Sequence, residues 1–281
     1  MREHTPAGSS EYSAGRIEIR DVGHDYRREG SDVVHIALES VNLDVKAREF
    51  LCLLGPSGCG KSTLLMIVAG LMKPSRGTVT LDGALVSGPS RDRGVVFQDY
   101  ALLPWKTVAS NVALGPRLNG SSRSESRETA AEFLALVGLE GVGGKYPHEL
   151  SGGMRQRAAV ARTLAARPKV LLMDEPFAAV DAQTRSVLQE ELVGLWRELG
   201  QTVIFVTHSV EESALLADRV VVMSPSPGRI KDIFNVPLPH ETRFSPDAVS
   251  ELASVTATLL ASVREVRGAT ASGADVQVSA G

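Results

Sequence analysis

The segment that most narrows what this chain can fold into is "EFLCLLGPSGCGKSTLLMIVAGLM" at 49–72. It begins with a continuous apolar run of strand length, passes through a glycine-rich turn and ends in an apolar run of helical length. An uninterrupted apolar strand is typical of a parallel sheet that is covered on both faces. The turn fits G-x-x-x-x-G-K-[ST] in full, and in a strand–loop–helix context this pattern is a phosphate-binding loop. The segment therefore predicts a nucleotide-binding α/β domain.

The residues of this loop are chemically suited to hold phosphate. Glycines let the backbone amides wrap the phosphate oxygens, Lys61 reaches the outer phosphates, and the Ser62 hydroxyl can ligate Mg²⁺. The alternative is a glycine turn that contains a lysine by chance. That alternative does not explain why a strand precedes the turn and a helix follows it. We expect nucleotide contacts from nine residues: Gly55, Pro56, Ser57, Gly58, Cys59, Gly60, Lys61, Ser62 and Thr63.

Further strands are predicted along the chain. "RIEIRDV" (16–22) alternates as a half-buried strand would. Three continuous apolar runs resemble the strand before the loop: "KVLLMDEP" (169–176), "TVIFVTHS" (202–209) and "DRVVVMS" (218–224). Segments of helical length separate these runs, which predicts a parallel α/β sheet with helices on both faces.

The regions around this core have a different composition. Between "RGVVFQ" and "LSGG" no apolar strand is found, so we predict a mostly helical subdomain inserted at about 99–158. Residues 1–15 read as a flexible leader, and 16–240 as the main domain. Within 241–281 we expect a helix over 246–267 followed by a disordered tail.

Bulk properties exclude several classes of protein. The net charge of −3 and the pI near 6.1 give no basic field, so nucleic acid is not favoured as a partner. The longest apolar run, 64–72, is about half as long as a membrane-spanning helix. The N-terminus lacks the apolar core of a secretory signal, which indicates the cytoplasm. Cys52 and Cys59 form neither a disulfide framework nor a metal cluster and are expected to be reduced thiols.

Polar residues follow three of the predicted strands. "VLLMDE" ends in Asp174 and Glu175, where unpaired charge at the edge of an apolar core is costly and a metal ion would remove that cost. Asp174 is suited to hold Mg²⁺, while Glu175, next in sequence, should point the other way and accept a proton from water. Solvated acids before a proline turn are the alternative. His208 and Gln98 close two more strands and are candidate phosphate or metal contacts, or structural residues.

A second anion-binding helix start is predicted in "HELSGGMRQRAAVARTL" at 148–164. Ser151 is placed to cap the helix, and Gly152 and Gly153 leave backbone amides pointing forward from its positive end.

The order of these motifs resembles the ATP-binding subunit of ABC transporters over residues 16–240. Phosphate loop, "VVFQ", "LSGG", "VLLMDEP", "VD" at 180–181 and "VTH" follow each other at the spacing of that family. The resemblance implies a P-loop NTPase (RecA-like) core, an antiparallel β subdomain and an inserted helical subdomain. It also implies a head-to-tail dimer that holds each ATP between the phosphate loop of one chain and the Ser-Gly-Gly segment of the other.

The resemblance also implies roles for individual residues. Glu175 would be the general base, His208 the γ-phosphate switch, and Gln98 the link from Mg²⁺ and water to the membrane partner. Ser151, Gly152 and Gly153 would act across the dimer, Asp181 would link the two sites, and Tyr26 would stack on adenine. Two positions depart from the family pattern: Met154 replaces the usual glutamine of the signature, and Val180 replaces the usual leucine.

The stretch 88–115 is similar to the ATPases of nitrate, sulfonate and taurine importers, as is "SPSPGRI" at 224–230. We expect the apolar residues of 100–105 to be an exposed docking patch for a membrane permease, with a solute-binding protein as an indirect partner and the cytoplasmic face of the membrane as the location. These residues are Tyr100, Leu102, Leu103, Pro104 and Trp105.

Three alternatives stay open at this point. The importer could carry another small solute. A soluble ABC ATPase acting on DNA or ribosomes would favour a second cassette, a coiled-coil insertion or zinc-binding cysteines. A P-loop kinase or GTPase would leave the Ser-Gly-Gly segment and the second carboxylate without a purpose.

Overall fold

The computed structural model describes residues 13–27 and 34–274, with side chains as far as Val266. Most of the predicted leader and residues 275–281 of the predicted tail therefore lie outside the described residues. The strands are β1 (Ile17–Arg27), β2 (Val34–Val45), β3 (Phe50–Leu54), β4 (Arg76–Leu81), β5 (Ala84–Leu85), β6 (Arg93–Val96), β7 (Val170–Asp174), β8 (Thr202–Thr207), β9 (Arg219–Met223) and β10 (Ile230–Asn235).

The helices alternate with these strands in the second half of the chain and cluster before β7. They are α1 (Lys61–Ala69), α2 (Val108–Val112), α3 (Leu114–Leu118), α4 (Arg123–Leu136), α5 (Gly152–Ala165), α6 (Ala182–Leu199), α7 (Val210–Leu216), α8 (His240–Arg243) and α9 (Val249–Ala274). Among the residues described, no helix combines the length and the apolar character needed to cross a bilayer.

The chain divides into two compact units. One, the central unit, is Ser90–Val203 together with the N-terminal residues up to Gly15, and the other, the flanking unit, is Arg16–Pro89 with Ile204–Gly281. Strand β8 begins in the first and continues in the second.

The flanking unit contains an antiparallel sheet in the order β2-β1-β4-β5 and strands β3 and β9, which pair in parallel. β3 is buried along its whole length, as its apolar run predicted, and α1 is apolar on nearly all sides because it follows the loop into the core. The last strand, β10, is antiparallel to β9. It was not predicted, because alternating half-exposed residues with two charges give a weak strand pattern.

The central unit pairs β6 with β7 in parallel and places helices α2–α5 between them in the chain. No strand occurs from residue 97 to residue 169, all of which are described. Helix α4 begins at a capping box in which Ser122 and Glu125 satisfy each other's backbone amides. The central unit thus supplies the helical segment predicted between the two strands.

Helix α9 extends further than predicted. It begins at Val249 and continues to Ala274, into the stretch expected to be disordered. Lys231 of β10 donates hydrogen bonds to the Ser262 carbonyl (3.0 Å) and the Glu265 carboxylate (2.8 Å), and Leu259, Val263 and Val266 are buried. These contacts attach the helix to the flanking unit.

Candidate nucleotide-binding site

The phosphate loop joins β3 to α1 in the flanking unit. Gly58 and Gly60 have φ of +77° and +90°, a conformation that favours glycine. Gly60 occupies the N-cap position of α1, and no side chain caps the helix. The start of α1 therefore leaves its first backbone amides uncapped at the positive end of the helix dipole, an arrangement that suits an anion.

Lys61 is buried, with 5% of its surface exposed. Its ammonium group donates hydrogen bonds to the carbonyl oxygens of Gly55 (2.8 Å) and Pro56 (2.9 Å) and lies 3.8 Å from the Cys59 sulfur. A buried cation held only by neutral groups among these contacts suits an incoming phosphate, which would supply the opposite charge. The environment of Lys61 is therefore compatible with a nucleotide phosphate bound at the loop.

Cys59 differs from the expectation for an accessible loop residue. Its side chain is 1% exposed, and burial raises the pKa of its thiol although the nearby Lys61 opposes the shift. A buried, protonated thiol reacts poorly with thiol reagents.

Tyr26 lies at the end of β1 and is 42% exposed. Its hydroxyl lies 3.1 Å from the Thr63 hydroxyl at the end of the phosphate loop and donates to the Met72 sulfur at 3.6 Å. His24 meets the tyrosine ring edge-on, with 4.7 Å between ring centroids. The ring is thus held beside the loop with much of its surface free to stack on a base.

His208 directly follows β8, where the strand turns into α7. Its side chain is exposed, while Thr207 before it is buried and Ser209 after it caps α7 by accepting a hydrogen bond from the Glu212 amide (3.1 Å). The imidazole is therefore presented at the carboxyl end of a parallel-sheet strand, the position predicted for a phosphate contact.

In the central unit, β7 ends at Asp174, and Glu175 has a φ of +44°. A left-handed backbone is unusual for a glutamate, and still more so before a proline, which favours extended structure in the preceding residue. The direction of the Glu175 side chain is therefore set by this turn and not by strand alternation, which corrects the basis of our prediction. Such strain, about 1–3 kcal/mol, concentrates at functional sites.

Gln98 lies outside its predicted strand. β6 ends at Val96, and Gln98 is exposed at the start of a turn in which the Tyr100 amide donates to the Phe97 carbonyl (3.1 Å). The strand is shorter because Phe97 and Gln98 leave the hydrogen-bonding pattern for this turn. Gln98 is thus a loop residue, free to change conformation more readily than a strand residue.

The patch from Tyr100 to Trp105 follows directly. Trp105 is 71% exposed and Pro104 is also exposed, while Tyr100, Leu102 and Leu103 are half-buried. Exposure of a large aromatic at this level agrees with the predicted apolar surface.

Ser151 caps α5, as predicted, by accepting a hydrogen bond from the Met154 amide at 3.3 Å. Gly153 has a steric reason to be glycine, because a methyl group there would lie 2.8 Å from the Thr184 methyl of α6. Gly152 has none, since the nearest atoms would be at ordinary contact distance. The absence of a side chain at Gly152 therefore leaves room at an exposed helix start, as an anion-binding surface needs.

Asp181 has a structural role that the sequence did not reveal. Its carboxylate caps α6 by accepting a hydrogen bond from the Thr184 amide (3.0 Å), and this bond lowers the pKa of Asp181. If Asp181 also links the two nucleotide sites of a dimer, that role is additional to capping α6.

Two residues that hold the docking patch were not anticipated. Asn111 of α2 is fully buried and donates to the carbonyls of Leu103, Lys106 and Thr107. Arg162 of α5 donates to the carbonyls of Tyr100 (3.1 Å) and Ala101 (2.5 Å). The only sequence signal for Asn111 was its position among apolar residues of a helix. No sequence signal indicated the role of Arg162.

Comparison with known proteins places the chain in a family. The family described as "ABC transporter" matches residues 38–178. The chain belongs to the ABC transporter family. Like its relatives, it is an ATP-binding subunit and an ATPase, and the predicted fold class is confirmed.

Several relatives are similar over most of the chain. An uncharacterized ABC transporter ATP-binding protein of Methanocaldococcus jannaschii is 56% identical over 72% of this chain and 76% of its own length. The nitrate import ATP-binding protein NrtD of Synechocystis sp. is 47% identical over 80% of this chain and 84% of its own. The taurine import ATP-binding protein TauB of Rhizobium johnstonii is 50% identical over 78% and 83%.

Solved structures support the same assignment. An ATP-binding cassette in a dimeric, post-hydrolysis state bound to ADP and Pi has a TM-score of 0.70 and is 32% identical, covering 79% of this chain and 100% of that one. A second dimeric cassette structure has the same TM-score at 33% identity and the same coverage.

Proposed function

We propose that this chain is the ATP-hydrolysing subunit of an importer for a small anion such as nitrate, a sulfonate or taurine. The observation that carries the proposal is the similarity, at 47–50% identity over more than three quarters of the chain, to import ATPases for nitrate and taurine. A soluble ABC ATPase without a transport role is the alternative outcome of the tests below.

ATP is the nucleotide, and we infer that Mg²⁺ accompanies it. The Ser62 hydroxyl, the Asp174 carboxylate and the Gln98 amide oxygen are hard oxygen donors, the kind that Mg²⁺ prefers. Bound to donors of this kind, Mg²⁺ would neutralise phosphate charge. The amides of the loop and Lys61 would hold the phosphates, and Tyr26 would stack on adenine.

Glu175 would accept a proton from the attacking water, and His208 would donate a hydrogen bond to the terminal phosphate. The strained backbone of Glu175 supports its assignment, because strain of this kind concentrates at functional sites. Ser151, Gly152, Gly153 and Asp181 would act toward a second copy of the chain, since the related cassettes are dimers.

Replacing Glu175 by glutamine tests the catalytic assignment. We expect ATP binding to be retained and turnover to fall by about 10²–10⁴-fold, because the base is lost while the phosphate contacts remain. Glu132→Gln on the exposed face of α4 is the matched control and should hydrolyse ATP normally. Near-normal hydrolysis by the Glu175 variant would remove Glu175 from this role.

The permease would dock on the central unit and so hold the chain at the cytoplasmic face of the membrane. Beside the docking patch, helices α2–α4 line a groove of about 960 Å³ with Lys106, Arg117, Arg123 and Arg127 at its walls. Among the ion pairs found in the described residues, none includes these four cations. An apolar patch next to unpaired positive charge suits a partner surface that carries both apolar and acidic groups.

The transport role is tested in cells whose own copy carries Lys61→Ala. Uptake of nitrate, taurine and an alkanesulfonate is measured separately, with the unmodified strain as control. We expect uptake of one class of these anions to be lost, because the phosphate contact that drives transport is removed. Normal uptake of all three would reject the proposed solute class.

A further inference from the structure

The phosphate loop is supported from outside by the turn between β9 and β10, residues 224–229. We propose that Gly228 in this turn is a positioning residue for the phosphate loop: its missing side chain lets the Cys59 carbonyl lie against the turn and so fixes the path of the backbone that binds phosphate. The inference rests on the proposed ATP site, and all of its contacts lie within the flanking unit.

Gly228 is joined to β2 as a single-residue strand. Its amide donates to the Ala37 carbonyl (2.9 Å), its carbonyl accepts from the Glu39 amide (2.9 Å), and it forms a parallel bridge with Leu38. These bonds keep the Gly228 backbone from moving away from its neighbours, because retreat would leave buried backbone groups without partners.

Two side chains of the turn strengthen this attachment. The Ser226 hydroxyl donates to the Ile36 carbonyl (3.0 Å), and Arg229 forms an ion pair with Glu39 (2.6 Å). The turn is also closed on itself, since the Ser224 amide donates to the Arg229 carbonyl (2.9 Å) and its hydroxyl accepts from the Arg229 amide (3.0 Å). The backbone of residues 224–229 is therefore held in one conformation by these bonds.

The opposite side of Gly228 faces the phosphate loop. A methyl group on Gly228 would lie only 2.0 Å from the carbonyl oxygen of Cys59 and 3.1 Å from its carbonyl carbon. Both are backbone atoms, which cannot turn aside as the end of a flexible side chain would. The clash has to be relieved by shifting either the turn or the loop.

The phosphate loop also contacts β2, at Gly60. A methyl group on Gly60 would lie 2.6 Å from the Leu38 side chain and 2.8 Å from the Ala37 carbonyl. Gly60 thus rests on the same part of β2 that binds Gly228. Displacing the Cys59 carbonyl would tilt its peptide link to Gly60, and the amides of Gly60 and Lys61 lie directly before and at the start of α1.

The expected defect is in phosphate binding and not in the chemical step. The proposed catalytic groups Glu175 and His208 belong neither to this turn nor to the phosphate loop, so turnover at saturating ATP should be nearly retained. Binding should weaken, because amides displaced by a few tenths of an ångström meet the phosphate oxygens at poorer distances and angles.

The test compares Gly228→Ala with Gly88→Ala. At Gly88, in the same unit, a methyl group would meet no atom within 4 Å, so that variant is the matched control. For Gly228→Ala we expect the Kd for ATP to rise on the order of tenfold to a hundredfold, with kcat changed by less than about threefold. Equal ATP affinity in the two variants would overturn the proposal.

The reactivity of the two cysteines with a maleimide shows which segment moves in the Gly228 variant. Cys59 and Cys52 are both buried, but only Cys59 lies in the phosphate loop. In Gly228→Ala, a maleimide should modify Cys59 while Cys52 stays protected, because the loop shifts and the β3 strand does not. Protection of Cys59 equal to that in the wild type would count against the proposal.

A third measurement covers the case in which Gly228→Ala does not fold, which modification of Cys52 would reveal. In the wild-type chain, ATP should slow hydrogen exchange at the Gly228 and Glu39 amides, because the braced loop tightens the bonds to β2. Unchanged exchange at both amides would overturn the proposal. If the wild-type chain itself does not bind ATP, the proposed function fails, and the Cys59 result still decides whether Gly228 positions the loop.

Discussion

At the scale of single residues, Asp181 stabilises the start of α6 apart from its proposed link between two sites. We expect Asp181→Ala to lower the midpoint of urea unfolding and Asp181→Asn to leave it nearly unchanged, because asparagine caps helices as well as aspartate. Urea unfolding of the three proteins measures this difference. Equal losses in both variants would show that the charge, and not the cap bond to Thr184, stabilises α6.

The pH dependence of this cap follows from the same bond. The pKa of Asp181 is lowered because the Thr184 amide donates to the ionised carboxylate. The part of the stabilisation that depends on the charge is therefore present above the ordinary aspartate pKa of 3.8 and is lost as the pH falls through the lower value of the folded state. The penalty of Asp181→Ala should accordingly be full at neutral pH.

Residue identities at the candidate site could be predicted from the sequence, whereas their backbone geometry could not. The glycines and Lys61 follow from a local pattern that requires a strand before it and a helix after it. The left-handed backbone of Glu175 does not, because a single strained residue is fixed by the turn around it and leaves no periodicity. Aspartate directly before a helix is a common N-cap signal. The cap formed by Asp181 was nevertheless not predicted.

At the scale of elements, α5 connects the Ser-Gly-Gly start to the docking patch inside the central unit. Arg162 of this helix donates to the carbonyls of Tyr100 and Ala101, whose φ values are +59° and +48°. The Arg155 guanidinium lies 5.7 Å from the centre of the Tyr100 ring. Two strained residues are thus held in place by one helix, so a movement of α5 would move the patch.

Replacing Arg162 by alanine should release the patch. We expect a loss of about 1.5–3 kcal/mol in stability, since bonds from a charged donor are removed, and a lower fluorescence anisotropy of Trp105 in a Trp196→Phe background. Arg157→Ala is the control on the same helix, because Arg157 bonds to the Val137 carbonyl and Glu191 instead of the patch. Unchanged anisotropy of Trp105 in the Arg162 variant would contradict the connection.

Elements with strong apolar patterns were predicted well, and edge elements were not. β3, β7, β8 and β9 lie within their predicted runs because each is nearly or fully buried. β2 and β10 were missed, since their exposed residues dilute the pattern. The continuation of α9 to Ala274 was missed because small and polar residues there carry no helical periodicity.

At the scale of the whole molecule, the chain contains two helix starts that we propose to bind phosphate, one at the phosphate loop and one at Ser151. The related cassettes are dimers, and a two-fold pair would give each helix start a use in a shared site. Composition and periodicity do not reveal such a pair, because a symmetric partner adds no new residues; only the resemblance to the family implies it. The dimeric arrangement therefore has to be tested by experiment on two differently altered copies.

Mixing a Ser151→Arg chain with a Lys61→Ala chain tests whether Ser151 acts on the nucleotide of its partner. Each parent should be inactive, but half of the randomly formed dimers would contain one site with both an intact loop and an intact Ser-Gly-Gly start. We expect about a quarter of the wild-type ATPase rate if the two sites act independently. If Ser151 acted within its own chain, every site in the mixture would be damaged and no activity would return. Because Ser151 also caps α5, the Ser151→Arg chain should lose about 1 kcal/mol in stability, and a melting curve must show that it stays folded.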